Sequence, residues 1–246
     1  MHNSSSDPFF HAVRHRSLSI LFGVGVSAFS LLTGMSQAVF ASTENPNQEL
    51  PSVEDLVVLF KRDRPPLGSR TRHCAISPGM VGDRDEVWSD RPLFLWKGQA
   101  NQLMVEDFYS DEMLWSQEVP HIESTVMAME YDGPVLQANQ LYRWQLLQDD
   151  AVVSRGIFSV MGGDRRAQLE GNISLLQQSL ATEQASETQV ALKMAEFFGN
   201  QGLWSDAFAV LYALDSDNIS SGGQMAIETM AEHLCGDMVT TQGAGG

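Results

Sequence analysis

The sequence contains few of the residues that hold metals or carry out catalysis. Its 246 residues include six histidines and two cysteines. It lacks the Cys-x-x-Cys, His-Glu-x-x-His and Gly-x-Ser-x-Gly motifs and the glycine-rich loop of nucleotide hydrolases. Without these patterns, nothing in the sequence predicts a metal site, a cofactor or a catalytic centre. We therefore expect a protein that is not an enzyme.

Positively charged residues are also scarce. The chain has 15 Lys and Arg against 31 Asp and Glu, which gives a formal net charge of −16. Because this charge repels polyanions, we expect no nucleic-acid partner. Hydrophobic residues make up 43% of the chain, which is enough to build a folded core.

Long hydrophobic runs are missing from most of the chain, and the one that occurs lies near its start. Leu18–Leu32 is an uncharged stretch of 15 residues that follows the basic segment 14–16. Beyond it, Ala38 and Ala41 each end a short motif of the kind that signal peptidase cleaves. We therefore predict a signal peptide over residues 1–41 and an exported protein, either periplasmic or extracellular.

The same stretch has a second interpretation. Leu18–Ala41 carries no charge and is long enough to cross a membrane, so an uncleaved segment would act as an anchor. The signal segment is the only part of the sequence for which we expect membrane contact. Residues 42–56 and the tail over 237–246 lack hydrophobic periodicity and are predicted to be flexible.

The two cysteines, Cys74 and Cys235, are candidates for a disulfide bond. An exported protein meets oxidising conditions in which a lone pair of cysteines can be joined. The alternative is two buried free thiols. Both interpretations stay open at this point.

A segment near the middle of the chain carries the main fold signal. Tyr142, Trp144 and Leu146 alternate with polar residues, as in a half-buried β-strand. Leu136 precedes Tyr142 by six residues, across the turn-like Gln137–Gln140. This spacing is typical of the tyrosine corner in immunoglobulin-like and fibronectin-like sandwiches, where the hydroxyl bonds to the backbone just upstream.

Short strands with turns between them extend on both sides of this segment. The other predicted strands are His73–Ile76, Leu93–Trp96, Gln102–Phe108, Glu112–Gln117, Ser124–Tyr131 and Ile157–Met161. Val57–Phe60 is an additional candidate for an edge strand, and Gly82–Glu86 is predicted to be an acidic turn. This pattern favours an antiparallel β-sandwich of the immunoglobulin or fibronectin type over residues 57–161.

Helical periodicity begins after Gly163. An apolar stripe with spacings of three and four residues predicts a first helix, with Asp164 as its N-cap; the stripe is Leu169, Ile173, Leu176 and Leu180. A capping box at Ser186 and Gln189 predicts the start of a second helix. The protein is therefore predicted to belong to the α+β class.

Two more helices are predicted, one after Ser205 and one over Gln224–Leu234, which completes a small all-α domain over residues 164–236. Small and large apolar residues alternate across its centre, at Ala191, Ala195, Phe198, Gly202, Trp204, Ala207 and Leu211. This arrangement resembles a single tetratricopeptide-type helical hairpin, predicted over residues 187–215.

The order of these features also resembles a family. Arg72-His73-Cys74, the strand-rich LFLW and LYRWQL segments and the helical GLWSDAFAVLYAL follow one another after a signal peptide. This order is similar to a family of secreted cyanobacterial proteins known as a domain of unknown function, over about residues 60–215. The resemblance implies an exported protein and transfers no active site. The glycine-rich stretch before the cysteine in that family is reduced here to Gly68.

Positive charge is concentrated in Lys61–Arg72, which also contains Pro65 and Pro66. The candidate contact residues in this segment are Lys61, Arg62, Arg64, Arg70 and Arg72. One interpretation is that they pair with carboxylates of the same chain. The other is that they bind an acidic protein or an anionic polymer of the cell envelope, since arginine donors suit carboxylate and phosphate groups.

The predicted function is binding or scaffolding in the cell envelope. One alternative is a carbohydrate-binding module, in which tryptophans stack on sugars; the candidates are Trp88, Trp96, Trp115 and Trp144. Their positions in strand patterns favour packing in the core instead. The other alternative is an envelope hydrolase whose catalytic residues come together only in the folded chain.

Export should remove the chain through Ala38 or Ala41, because signal peptidase cleaves after small residues that follow the hydrophobic run. The intact mass and the N-terminal sequence of protein extracted from the envelope measure this directly. A chain that still begins at Met1 would contradict the prediction and favour the anchor.

Overall fold

Helices lie on both sides of a strand-rich region. The computed structural model describes residues 51–66, 72–79, 84–121, 126–216 and 222–236; the predicted signal peptide, most of the predicted flexible segment 42–56 and the tail 237–246 lie outside them. The helices are α1 (Val53–Asp63), α2 (Gly163–Thr182), α3 (Glu187–Asn200), α4 (Trp204–Ser216) and α5 (Gly222–Cys235). The strands are β1 (Cys74–Ser77), β2 (Arg84–Val87), β3 (Leu93–Lys97), β4 (Gln102–Asp107), β5 (Met113–Glu118), β6 (Met127–Glu130), β7 (Leu141–Gln148) and β8 (Ala151–Val160).

The strands form two sheets. One has three strands in the order β1-β3-β6, and the other has five in the order β2-β8-β7-β4-β5. All neighbouring strands are antiparallel except β2 and β8, which are parallel. The prediction of an α+β protein with a strand-rich region followed by helices is confirmed.

Large aromatic residues from both sheets share one apolar core. Phe94 on β3 lies 5.1 Å from Trp144 on β7 and 6.1 Å from Phe158 on β8, measured between ring centroids. Trp96, the other side chain of β3 in this core, is fully buried. Because β-strand side chains alternate between faces, Phe94 and Trp96 occupy one side of the three-stranded sheet.

The other side of the three-stranded sheet packs against the helices. Leu93 and Leu95 of β3, with Cys74 and Ile76 of β1, belong to the same apolar cluster as residues of α1 and α3–α5. All five residues of β3 are buried. A strand with both faces covered has no position for alternating polar residues, which explains the continuous apolar run in its sequence.

Tyr142 makes the bond that its spacing predicts. Its hydroxyl accepts a hydrogen bond from the backbone N–H of Gln137 at 2.7 Å. The tyrosine side chain is buried, and its ring lies 5.6 Å from that of Phe158. The hydroxyl therefore holds the loop before β7 onto the strand that follows it.

The chain after β1 lies directly on β8. The indole Nε1–H of Trp144 donates to the carbonyl oxygen of Pro78 at 2.6 Å. A Cβ atom added to Gly156 would lie 2.3 Å from that Nε1 and 2.4 Å from the carbonyl oxygen of Gly79. Glycine is therefore required at position 156, because the two backbones approach too closely for any side chain.

The edge strand predicted at Val57–Phe60 is wrong, because this segment lies within α1. Ser52 caps the helix: its hydroxyl accepts from the N–H of Asp55, whose carboxylate accepts from the N–H of Ser52. Leu56 and Phe60, four residues apart, are buried on one face of the helix. Leu56 precedes the segment Val57–Phe60, so that segment alone does not contain the helical spacing.

Two further local predictions are also wrong. The part of the acidic turn Gly82–Glu86 that the structure describes, from Arg84 onward, lies in β2, because its backbone pairs with β8. The N-cap of α2 is Gly162, so Asp164 lies in the first turn of the helix instead.

The remaining helix predictions agree with the structure. The capping box of Ser186 and Gln189 is present at the start of α3. Leu169, Ile173 and Leu180 are the buried residues of α2. Gly202, in the left-handed conformation with φ of 74°, separates α3 from α4.

Replacing Tyr142 with Phe should lower the free energy of unfolding by about 1–3 kcal/mol, because the N–H of Gln137 loses the buried tyrosine's hydroxyl as its acceptor. Urea denaturation measures the change. Tyr109→Phe is the matched control, since the Tyr109 side chain is exposed and its loss of a hydroxyl should cost less than about 0.5 kcal/mol. Equal effects of the two substitutions would contradict the structural role of the Tyr142 hydroxyl.

Candidate functional site

The arginine-rich segment does not form one uniform surface. Arg64 Nη2 lies 3.0 Å from Oδ1 of Asp85 on β2, in an ion pair that is largely shielded from solvent. Asp85 also accepts a hydrogen bond from the N–H of Gly79 at 2.8 Å through its other oxygen. Arg64 therefore joins the end of α1 to the sheet rather than facing outward.

Lys61, Arg62 and Arg72 take no part in this ion pair. Lys61 and Arg62 are exposed on the last turn of α1, where Arg62 Nε lies 3.3 Å from Oδ1 of Asp63. Arg72 is exposed just before β1. Arg70 lies outside the described residues. Among the described residues of this segment, the exposed positive side chains that a partner could reach are Lys61, Arg62 and Arg72.

Cys74 and Cys235 are joined in the structure, with their Cα atoms 6.0 Å apart. The bond connects β1 to the last turn of α5, across 161 residues of sequence. Both side chains are buried among the helices and the three-stranded sheet. The bond therefore links the beginning of the strand region to the end of the helical region.

A buried carboxylate makes a second link between these regions. Asp206 on α4 is 4% exposed, and its two oxygens accept the backbone N–H groups of Trp88 and Ser89, each at 2.9 Å. Arg166 on α2 donates to the carbonyl oxygen of Trp88 at 2.8 Å. Burial raises the pKa of Asp206 to about 6, against the opposing effect of the two N–H donors and of Arg166. Since both its oxygens bind backbone, its role is structural.

The tryptophans pack inside the protein, as their strand positions favoured. Trp96 and Trp144 are fully buried, and Trp88 and Trp115 are partly buried. Trp88 also packs against Phe198, with ring centroids 5.8 Å apart. Trp96 and Trp144 therefore offer no open ring face for stacking on a sugar, and Trp88 and Trp115 pack against other aromatic rings.

The structure instead places a shallow depression at one end of the five-stranded sheet. It has a volume of about 420 Å³ and lies between the β4–β5 turn, the loop before β7 and the end of β8. The residues that line it are Tyr109, Ala138, Asn139, Gln140, Leu141 and Ser159. Its size lies within the range of small-molecule sites. Its lining is mostly polar, with one aromatic ring at the edge.

Asp107, at the end of β4, holds the two sides of this depression together. One of its oxygens accepts hydrogen bonds from the N–H of Tyr109 at 3.0 Å and from the N–H and hydroxyl of Ser110 at 2.8 and 2.9 Å. The other accepts the side-chain amide of Gln140, from the loop before β7. The N–H of Ser110, followed by the Gln140 amide and the Ser110 hydroxyl, lowers the pKa of Asp107 to about 2. Asp107 is therefore ionised at neutral pH and stays bound to both loops.

The Tyr109 ring stands at the rim, 78% exposed. It packs edge-on against Phe108 with ring centroids 5.3 Å apart. Phe108 in turn lies beneath the guanidinium of Arg143, which is bound by the carboxylates of Glu106 and Asp111. The Tyr109 backbone is held by Asp107, and its exposed ring packs against Phe108.

Asn139 forms the opposite side of the depression in a left-handed conformation, with φ of 63°. Its N–H donates to the carbonyl oxygen of Val160 at 2.8 Å, which ties the loop to the end of β8. Asparagine is one of the few residues other than glycine that adopts this conformation readily. The backbone here is therefore fixed by both the residue type and its partner.

No pattern in the sequence predicts this site. Its lining residues lie in three loops and strand ends that are separated by as much as fifty residues. One local signal was available: Asp107 and Ser110 between two strands form the pattern of an Asx turn, with Tyr109 at its tip. This pattern predicts that the Tyr109 side chain is exposed. It does not predict which residues of other loops lie next to it.

Within the described part of the chain, no three His, Cys, Asp or Glu side chains are grouped closely enough to hold a metal ion. Among the helices described above, none is long and apolar enough to cross a membrane; the predicted alternative anchor, Leu18–Ala41, lies outside the described residues. No protein-family model matches the chain, and a search of curated proteins finds no match.

The stability of the protein should fall as the pH rises from about 4 to about 6, by up to about 3 kcal/mol from Asp206. Folded Asp206 titrates with a pKa of about 6, whereas an unfolded aspartate titrates near its model value of 3.8. Between these values the folded chain keeps a proton that the unfolded chain has released. Its stabilising effect is complete below the unfolded pKa and is lost as the pH passes the folded pKa.

Urea midpoints of the wild type and of Asp206→Asn, measured from pH 4 to pH 7, isolate this effect. Asparagine does not titrate, so the difference between the two curves removes the contributions of the other acids. A difference that does not change with pH would contradict the raised pKa of Asp206.

Proposed function

We propose that this chain is exported and acts in the cell envelope as a binding or scaffolding protein, without chemistry of its own. The basic and hydrophobic segments before residue 42 support export. The bond between Cys74 and Cys235 fits an oxidising compartment, where such bonds persist. In this proposal the folded part of the chain presents a partner site to the periplasm or the exterior.

The strand-rich region is, in this proposal, an immunoglobulin-like sandwich. Its two sheets share an aromatic core, and Tyr142 bonds to the backbone at Gln137 as in a tyrosine corner. The two strands at the start of this region belong to different sheets. β1 pairs with β3, whereas β2 pairs in parallel with β8. Sandwiches of this type commonly present their contact residues on the loops at one end.

The depression around Tyr109 carries the binding proposal. Tyrosine is enriched at protein contact sites because its flat ring gives a large contact area at a low entropic cost. Tyr109 is exposed, yet Asp107 fixes its backbone and links it to Gln140 across the depression. A site whose side chains are already positioned loses little conformational entropy on binding.

The exposed positive residues form a second candidate contact, in this case for an acidic protein or an anionic envelope polymer. Lys61, Arg62 and Arg72 are exposed, whereas Arg64 is bound to Asp85. These three residues concentrate positive charge in a chain that is otherwise strongly acidic. An anionic partner would therefore be attracted to the surface that they form.

A hydrolase would use two carboxylates or a His–Asp pair at an open cavity. Of the strongly buried acids, Asp85, Asp107 and Asp206 bind backbone N–H groups. Glu106 binds Arg143 and the side chain of Gln145. These partners support structural roles for the four carboxylates and favour binding over hydrolysis.

Capture from an envelope extract by the processed wild-type chain, immobilised on a resin, tests the proposal. Tyr109→Ala should reduce the captured partner several-fold, because the aromatic contact is removed while the loop backbone keeps its bonds to Asp107. Met225→Ala is the matched control, an exposed apolar residue on α5 away from the depression.

The combined variant of Arg62, Arg70 and Arg72 to Gln tests the second contact. If the arginines bind the partner, capture weakens in this variant, and wild-type capture fades as the salt concentration rises. If neither this variant nor Tyr109→Ala alters capture, both proposed contacts are overturned.

A further inference from the structure

We propose that the depression around Tyr109 binds a neutral saccharide, with about one or two sugar rings in contact at a time. This inference rests on the proposed binding function and names the ligand class of the same site. It differs from a tryptophan platform, because Tyr109 supplies the ring that stacks on the sugar.

The first observation is a flat aromatic face held open to solvent. The ring of Tyr109 is 78% exposed, and it packs edge-on against Phe108. The C–H groups on one face of a sugar ring are apolar, so they stack on an aromatic face, while the hydroxyl groups point outward. An exposed ring suits this contact.

The second observation is the type of polar group around the ring. Asn139, Gln140 and Ser159 line the depression with two amides and a hydroxyl. Each amide offers a donor and an acceptor, which matches neighbouring sugar hydroxyls that also donate and accept. Among the described residues, no hydrogen bond uses the side chain of Asn139 or the amide oxygen of Gln140, while the Gln140 nitrogen is fixed on Asp107.

The third observation is the charge at the site. The carboxylate of Asp107 already accepts four hydrogen bonds, from Tyr109, Ser110 and Gln140. The nearby Glu106 and Asp111 are both paired with Arg143. A cationic ligand would compete with these existing partners for the negative charge. An anionic ligand would meet the field of a chain with a net charge of −16, so a neutral ligand fits best.

Asp107 is a positioning residue in this site. It binds the Tyr109 backbone and the Gln140 amide, which belong to two different loops that line the depression. Because its pKa is about 2, it stays ionised throughout the neutral range, and saccharide affinity should not change between pH 5 and pH 8.

Calorimetric titration of the whole chain without its predicted signal peptide tests the inference. The probes are cellohexaose and maltohexaose, each to millimolar concentration. At least one of these two probes should bind. Tyr109→Ala should weaken binding by about tenfold or more, whereas Tyr109→Phe should retain it within about threefold, because the stacking face is kept.

Asn139→Gly is the second site variant. Glycine keeps the left-handed backbone and removes the whole Asn139 side chain, which lies close to Gly162, and affinity should fall by about tenfold. Met225→Ala is the control in the same titrations and should bind as the wild type does. Melting temperatures of all the variants establish that they are folded.

Several results would overturn the inference: no heat of binding with either saccharide, equal binding by Tyr109→Ala and the wild type, or equal losses in Tyr109→Ala and Tyr109→Phe. Failure here is distinct from failure of the proposed function. If neither saccharide binds but envelope capture still depends on Tyr109, the contact site stands and its ligand is of another class.

Discussion

The three-stranded sheet must be covered on both of its faces, and the rest of the structure follows from this constraint. Phe94 and Trp96 point to one side of β3, and Leu93 and Leu95 point to the other. Leaving either face in water would forfeit about 1.5–3 kcal/mol for each large side chain. The five-stranded sheet covers the first face, and α1, α4 and α5 contribute to the cover of the second. The helices are therefore part of the same core as the strands.

Covering a sheet with helices creates a boundary where backbone groups from different elements meet. Asp206 accepts the N–H groups of Trp88 and Ser89 at the point where the chain leaves β2, and Arg166 binds the carbonyl oxygen of Trp88. These bonds satisfy polar groups that would otherwise be buried without partners. The bond between Cys74 and Cys235 joins the same two layers at another point. These hydrogen bonds and the disulfide thus fix the position of the helices on the sheet, which apolar packing alone does not specify.

The candidate site lies on the protein surface, in contrast to the buried boundary between the sheet and the helices. Its lining comes from a turn, a loop and a strand end, which are positioned by the five-stranded sheet. Asp107 belongs to β4, so the rigidity of that strand passes directly to Tyr109 and Gln140 through hydrogen bonds. An exposed aromatic residue fixed in this way combines accessibility with order, which is the combination that a binding surface requires.

Short-range patterns in the sequence determined most of the elements. The alternation around Trp144, the capping box of Ser186 and the spacing from Leu136 to Tyr142 each involve a few neighbouring residues, and each predicts the local structure that is found. The helix over Val53–Asp63 is not predicted by the run Val57–Phe60 alone, because its buried face is formed by Leu56 and Phe60 and the first of these precedes the run.

The tertiary structure alone decided which elements meet. Asp85 lies in a charged segment typical of a turn, yet it forms part of a strand because β8 pairs with it and Arg64 reaches it from α1. Asp107 and Gln140 are 33 residues apart, and their contact depends on the pairing of β4 with β7. Hydrophobic periodicity shows which face of a helix or strand is buried. It does not show which other helix or strand covers that face. The choice of partner comes from packing and hydrogen bonding over the whole chain, which no local pattern encodes.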